Sequence, residues 1–474
     1  MSVRLHALAL AAACCAAPAL AANSAFSNFT PLASSAGPTA DEAVPLTLSS
    51  ALFSQRSIAD RTTQLAAAQF NSGSWDMITL NETGADKGRY LFTVFETSQA
   101  GIQRTDLWNN NATTTIWSSP AAAPALNSHV AFDASYWTPW GSFVTAEESW
   151  GNQPQPYGRL FELKNPLAAT GNANAQLVHA NSVARVSHEG VQWDKAGNMY
   201  FIDELNGGSL YRYTPKASFD SVLAGQADYF AGGTNAVLRV GDGNTDNAVG
   251  ASSWVAFTDS DGLALAGAIT IVDPNGISAV DGRNTTNLAS FKGTNYQRPE
   301  DLQMQIGPNG EERLYIATTS THEVYILDIA SGEMKVFANQ NTIDLATGQA
   351  VGAALRSPDN LAMDADGNIY IVEDRNGGVD NDVWFAKDLN KDGDLLDAGE
   401  GLGRWVSNGT PGSEMTGLYF DPFNANRAWL NIQHPSSGND RLIEISAVPE
   451  PGSYALMLGG LALMGGIVRR RAKR

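Results

Sequence analysis

The stretch 357–375, SPDNLAMDADGNIYIVEDR, constrains the fold more than any other feature, because the chain repeats its plan. A polar opening carries one acid, Asp359. An alternating run follows, then the turn Asp364-Ala365-Asp366-Gly367, a second apolar run over 369–372, and the closing acids Glu373 and Asp374. Two period-2 runs around an Asp-Gly turn make an antiparallel hairpin that returns the chain to the edge where it began. The leading acid and the trailing acids are therefore expected at one edge of a sheet.

The same plan recurs. His188-Glu189-Gly190 leads to Asp203-Glu204, Arg298-Pro299-Glu300-Asp301 leads to the apolar run 314–317, and Glu414 leads to Gln433-His434. Weaker copies run from Arg89 to Glu96 and from Trp137 to Glu148. Leading acids at 300, 359 and 414 are 59 and 55 residues apart, and 189 to 300 is 111, close to two periods. Strand hairpins at a fixed period imply radial repetition. The expectation is an all-β chain, a six-bladed β-propeller over 71–447. Residues 22–70 supply an N-terminal extension or the ring-closing strand. The Gly- and Asn-rich stretch 216–295 is an insertion or a degenerate seventh blade, with one short strand near 268–272.

A low charged fraction of 17%, 45 glycines and 11 tryptophans suit many short strands around large core side chains. The formal net charge of −19 becomes −24 for the body once Arg4 in the leader (+1) and the tail 449–474 (+4) are set aside. Such a body repels nucleic acid and anionic lipid and attracts cations.

Residues 1–21 read as a secretory signal peptide: Arg4, an apolar run from Leu8 to Ala17, and Ala19-Leu20-Ala21 as a small-residue cleavage site. Both cysteines, Cys14 and Cys15, lie inside it, so the mature chain is expected to have neither disulfide nor thiolate ligand. At the other end Val448-Pro449-Glu450-Pro451 precedes an apolar stretch, 453–468, and a basic cluster from Arg469 to Arg474. The apolar stretch is short for a stable span of about 20 residues. Its order resembles the PEP-CTERM sorting signal of Gram-negative bacteria. That resemblance implies an exosortase partner at the inner membrane, transient membrane contact through 448–474, and delivery to the cell surface or extracellular matrix alongside exopolysaccharide. A monomer is expected.

The leading and trailing acids are Glu147, Glu148, Glu189, Asp203, Glu204, Glu300, Asp301, Asp359, Glu373, Asp374 and Glu414. Arranged around an axis, they would face one another across a channel mouth, where carboxylates stay ionised only if cations compensate them. Oxygen-only clusters select hard cations, and Ca2+ is the expected one. The alternative is that each acid caps a turn or pairs with a local base. Arg298, Arg356 and Arg375 adjoin the same positions, and guanidinium groups beside bound cations suit an oxyanion such as phosphate. His188 and His434 share the edge, as ligands, proton donors or loop anchors.

Several of these motifs, taken together, resemble the PhoX-type alkaline phosphatase family: Thr138-Pro139-Trp140-Gly141 with Glu147-Glu148, His188-Glu189-Gly190, Arg298-Pro299-Glu300, Ser357-Pro358-Asp359-Asn360, Glu414-Met415-Thr416-Gly417 and Asn431-Ile432-Gln433-His434-Pro435. The resemblance implies a six-bladed propeller whose axial site holds iron and calcium and hydrolyses phosphate esters. It makes Glu189 and Glu300 metal-bridging ligands, Arg298 a phosphate contact, Arg375 a second one, and the remaining acids calcium ligands. One departure bears on the metal. The family's iron-ligating cysteine before the Glu-Glu pair is Ala146 here, so Fe3+ loses its thiolate and a calcium-only site is the expectation.

A second cation site is expected off the axis. Asp388, Asn390, Asp392, Gly393 and Asp394 occupy places one, three, five, six and seven of a calcium loop, with Glu400 one place beyond the usual twelfth. Two other functions fit the same acids. One is a non-catalytic, calcium-stabilised propeller that binds matrix polysaccharide; the other is a lactonase-type hydrolase, which needs the acids but no arginine.

Overall fold

The computed structural model describes residues 24–39, 41–150, 156–375 and 380–448. The expected signal peptide and the segment after Val448 lie outside the described residues. Among the described residues no helix is long and apolar enough to cross a membrane.

The hairpin plan produces antiparallel sheets. Among the described residues three have four strands, one has five and one has nine, with two further two-stranded ribbons. The nine-stranded sheet is two hairpin runs joined at their outer edges by only two residue pairs, Gly250 with Met334 and Ala251 with Glu333. The first strand of each hairpin lies innermost: Trp75–Leu80, Phe132–Trp137, Val191–Trp193, Pro299–Ile306, Pro358–Met363 and Glu414–Phe420. Each touches the next, and Glu414–Phe420 touches Trp75–Leu80. The result is a closed, propeller-like ring.

Residues 46–60 take part in the sheets. Phe53–Asp60 pairs with Arg441–Ala447 as the outer strand of the last sheet, and Leu46–Leu48 pairs with Gly401–Asn408. The ring is thus closed by a strand from the chain's beginning laid on its end. Within 216–295, Gly233–Val240 and Gly250–Ala256 extend the sheet begun at Val191 and form no blade of their own. The remainder supplies the ribbon Thr270–Val272 with Ser278–Val280, whose following residue Asp281 meets Arg185.

The apolar faces of neighbouring sheets meet in clusters, with Trp75, Trp384, Trp405 and Trp429 fully buried. This packing makes the inner strands a rigid wall for the channel. Five of the six inner strands also carry a register shift: between Trp75 and Ile78, Phe132 and Ser135, Pro299 and Leu302, Pro358 and Leu361, and Thr416 and Tyr419. A bulge leaves a residue unpaired and re-aims its side chain. Asp76, Asp133, Glu300 and Asp359 each sit in such a shift, at the second place of their strand.

Candidate metal centre

The leading acids Asp76, Asp133, Glu189, Glu300, Asp359 and Glu414 line one cavity of about 370 Å³ on the axis. The trailing acids Glu96, Glu148, Glu204 and Asp374 join them, with Arg298, Gln433 and His434. Carboxylate oxygens of Glu189, Glu300 and Asp359 lie within 4.8 Å of one another. Gly190 makes this approach possible: a Cβ there would stand 2.3 Å from the Leu302 backbone nitrogen, so the chain after Glu189 lies directly on the chain after Glu300.

Burial and mutual repulsion dominate the electrostatics. Burial pushes the carboxyls of Asp76, Glu96, Asp133, Glu148, Glu189, Glu204, Glu300 and Glu414 well above their ordinary range. Asp359 is raised to about 7, by burial first and by Asp374 next, with Arg298 pulling the other way. Oε2 of Glu300, Oε2 of Glu204 and Oδ1 of Asp133 are buried and accept no hydrogen bond, while Oε1 of Glu300 meets the Arg298 guanidinium. Oxygen atoms without partners, converging in one cavity, fit a hard cation and leave a soft one without its preferred donor. Neither cysteine lies among the described residues, and Ala146 is fully buried in an apolar cluster with Ala134, Val144 and Leu160. The side chains present therefore fit a hard cation, and no described side chain supplies a thiolate.

Among the described residues Arg298 is the one guanidinium lining this cavity. Its Nε donates to Glu204 Oε1 at 3.0 Å and lies 2.9 Å from Glu300 Oε1, and its guanidinium stacks 4.8 Å from the Trp150 ring. Nearby carboxylates outweigh burial and keep it charged. The Trp150 indole donates to Glu148. His434 brings Nε2 to 2.6 Å from Glu414 Oε1, with Nδ1 2.9 Å from the Gly412 carbonyl. Asn360 ties the ring together: Nδ2 donates to Glu189 Oε1 at 3.3 Å and Oδ1 accepts from the Gly417 amide at 2.8 Å.

Other sequence-expected residues stand elsewhere, each for a local reason. In the pairs Glu147-Glu148, Asp203-Glu204 and Glu373-Asp374, strand alternation sends the second acid into the cavity and the first between sheets. Glu147 is enclosed by Arg159, whose Nη2 and Nε lie 2.6 and 2.9 Å from its oxygens. Asp203 accepts from the Ser187 amide at 3.0 Å. Glu373 accepts from the Trp384 indole at 3.0 Å and the Arg356 amide at 2.7 Å. Arg375 donates to the Ala354 carbonyl at 2.8 Å and lies 3.3 Å from Glu373, away from the cavity, while the Arg356 side chain is exposed. Asp301 accepts from the Leu302 and Leu361 amides. His188 is fully buried against Phe201, away from the cavity, with the Ala184 and Gly158 backbone carbonyls beside its ring, in keeping with a loop anchor. Asp76, Glu96, Asp133 and Gln433, absent from the sequence-expected set, line the cavity; Gln433 Nε2 donates to Asp76 at 3.1 Å and Glu96 at 2.7 Å.

The family model for alkaline phosphatase PhoX matches residues 134–436, well over half of the chain. The chain belongs to the PhoX alkaline phosphatase family. Pseudomonas fluorescens PhoX, solved with vanadate as a transition-state analogue, superposes with a TM-score of 0.60 at 16% identity, covering 88% of this chain and 98% of that one. A putative gluconolactonase matches with a TM-score of 0.40 at 12% identity over 84% of this chain and 94% of its own. Regucalcin, a calcium-binding protein from Agrobacterium tumefaciens, matches with a TM-score of 0.40 at 11% identity over 80% and 92%. No curated protein matches the chain. The PEP-CTERM protein-sorting motif matches 447–472 and marks this PhoX-family chain for exosortase-mediated sorting to the exterior or cell surface.

Proposed function

We propose that the chain is an exported, metal-dependent phosphoric ester hydrolase, built as a six-bladed propeller in which each half of the nine-stranded sheet counts as one blade. The observation that carries this reading is the close approach of Glu189, Glu300 and Asp359 beside Arg298 in the axial cavity. In this reading the three carboxylates hold Ca2+, and the cation supplies charge neutralisation and polarisation of a phosphoryl oxygen. Arg298, pinned by Glu204 and backed by Trp150, presents its remaining N–H groups to the phosphoryl oxygens as a fixed donor. His434 and Glu414, joined by a short contact, can share a proton at the cavity wall. The enzyme acts at the surface of a Gram-negative cell after passage through a membrane-anchored intermediate.

Purified mature protein incubated with p-nitrophenyl phosphate and bis-p-nitrophenyl phosphate, in calcium with and without iron, tests this. Hydrolysis that is lost in Arg298→Ala supports it; no turnover above that variant under any metal condition overturns it. The burial of Ala146 where the family places a thiolate favours one second reading, a catalytically silent propeller that keeps its cations for stability and binds matrix polysaccharide. A chelator that lowers the melting temperature of a protein cleaving no ester identifies that case.

A further inference from the structure

The loop from Asp388 to Glu400 lies at the far face of the ring from the axial acids, joining strand Asn381–Lys387 to strand Gly401–Asn408. It also reaches the neighbouring sheet. The Arg313 side chain donates to the Lys391 carbonyl at 2.8 Å, and Gly393, at φ +90°, packs so tightly that a Cβ would stand 2.9 Å from Ile326.

Asp388 is only 7% exposed, its Oδ2 accepts from the Gly393 amide at 2.9 Å, and its Oδ1 is buried and accepts no hydrogen bond. A buried carboxylate oxygen with no donor is costly unless something positive meets it. Asp392 and Glu400 act on this carboxyl as nearby like charges. At the centre of the loop the Asn390 amide nitrogen donates to Asp392 Oδ2 at 3.0 Å and to Asp397 Oδ2 at 2.8 Å. An electropositive NH2 group thus stands between two carboxylates, where a cation would satisfy both together. Glu400 faces the other way: its two oxygens accept the Leu389 and Asp397 amides at 2.8 and 3.0 Å and so fix both ends of the turn. Asp394 accepts the Leu396 amide at 3.0 Å, a local turn bond.

We propose that this loop is a structural Ca2+ site separate from the axial cavity, with Asp388, Asn390, Asp392 and Asp397 as its oxygen donors and Glu400 bracing the loop from behind. Asn390 Oδ1 accepts from the Asp392 amide at 3.0 Å and keeps a second lone pair for the ion. The side-chain donors and an oxygen-only set suit a hard cation of flexible geometry, with water completing the shell. Because the loop leans on Arg313 and Ile326, the ion fastens two adjacent sheets of the ring.

The test uses chelator-treated mature protein, calcium titration by calorimetry and thermal melting, on the wild type, Asp392→Asn/Asp397→Asn, and Glu189→Gln/Glu300→Gln. Asp392 and Asp397 are exposed, so their exchange does not threaten folding; Asp388→Asn serves as the buried counterpart. The loop variant should lose one calcium equivalent, or weaken it at least about tenfold, and lose part of the calcium-dependent rise in melting temperature. The axial variant should keep that equivalent. An unchanged stoichiometry and affinity in the loop variant overturns the proposal. A wild type that binds a single calcium, lost only in the loop variant, removes the axial reading and leaves this one standing.

Discussion

Arg298 and Glu204 meet between the two halves of the nine-stranded sheet, with the guanidinium Nε and Nη2 at 3.0 and 2.9 Å from the same carboxylate oxygen. One acid thus aims the guanidinium and leaves its remaining N–H groups for a ligand. Arg298→Ala should lower phosphate-ester turnover by about a hundredfold or more, the usual cost of a donor aimed at developing charge. Arg298→Lys should recover little, because a point charge does not reproduce the planar fork. Steady-state kinetics on both variants check this.

The opposite behaviour is expected one residue from a cavity acid. Glu147 is fully buried with Arg159, and Arg159→Ala removes its only ion-pair partner among the described residues, leaving the Val130, Gly158 and residue-159 amides. Removing one member of such a pair costs about 3–5 kcal/mol. Denaturant melts should register that loss, and the calcium stoichiometry of the fraction that remains folded should be unchanged.

Packing at Gly190 predicts a third outcome. A Cβ there meets backbone, not a flexible side chain, at 2.3 Å. Gly190→Ala must push apart the strands bearing Glu189 and Glu300, at a cost of about 1–3 kcal/mol. Calcium affinity should fall together with stability, which a paired titration and melt would measure.

The metal-free protein should prefer acid. Burial holds Asp359 at about 7, above the value of about 4 in an unfolded chain. Between those values the native state binds more protons than the unfolded one, so stability falls as pH rises through that window. Melting in chelator should give a lower temperature at pH 8 than at pH 5, and added calcium should remove the difference by replacing the protons. A higher chelator-treated melting temperature at pH 8 would refute this.

The hairpin plan and most leading acids were legible in the sequence, because Asp-Gly turns and period-2 runs encode local geometry. The trailing pairs were not resolved by residue type alone: Glu147 and Glu148 are identical in chemistry and differ only in which side of the strand they face. Phe95-Glu96 carries the missing signal, since an apolar residue at the first place shows that the second faces the axis. Asp76 and Asp133 went unread because their copies open on Trp75 and Phe132 in place of a Pro or His motif. The partner that claims Glu147 was beyond reach of pattern, because Arg159 meets it only when strand Phe143–Glu147 pairs with Leu160–Leu163.

The account rests on carboxylates far apart in sequence converging on one cation-holding hub. Elemental analysis of the purified mature protein, beside Glu189→Gln/Glu300→Gln, tests it most directly. The prediction is bound calcium without stoichiometric iron in the wild type and a clear loss of calcium in the variant. Equal calcium in the two proteins, or a wild type that carries no divalent metal, would contradict it.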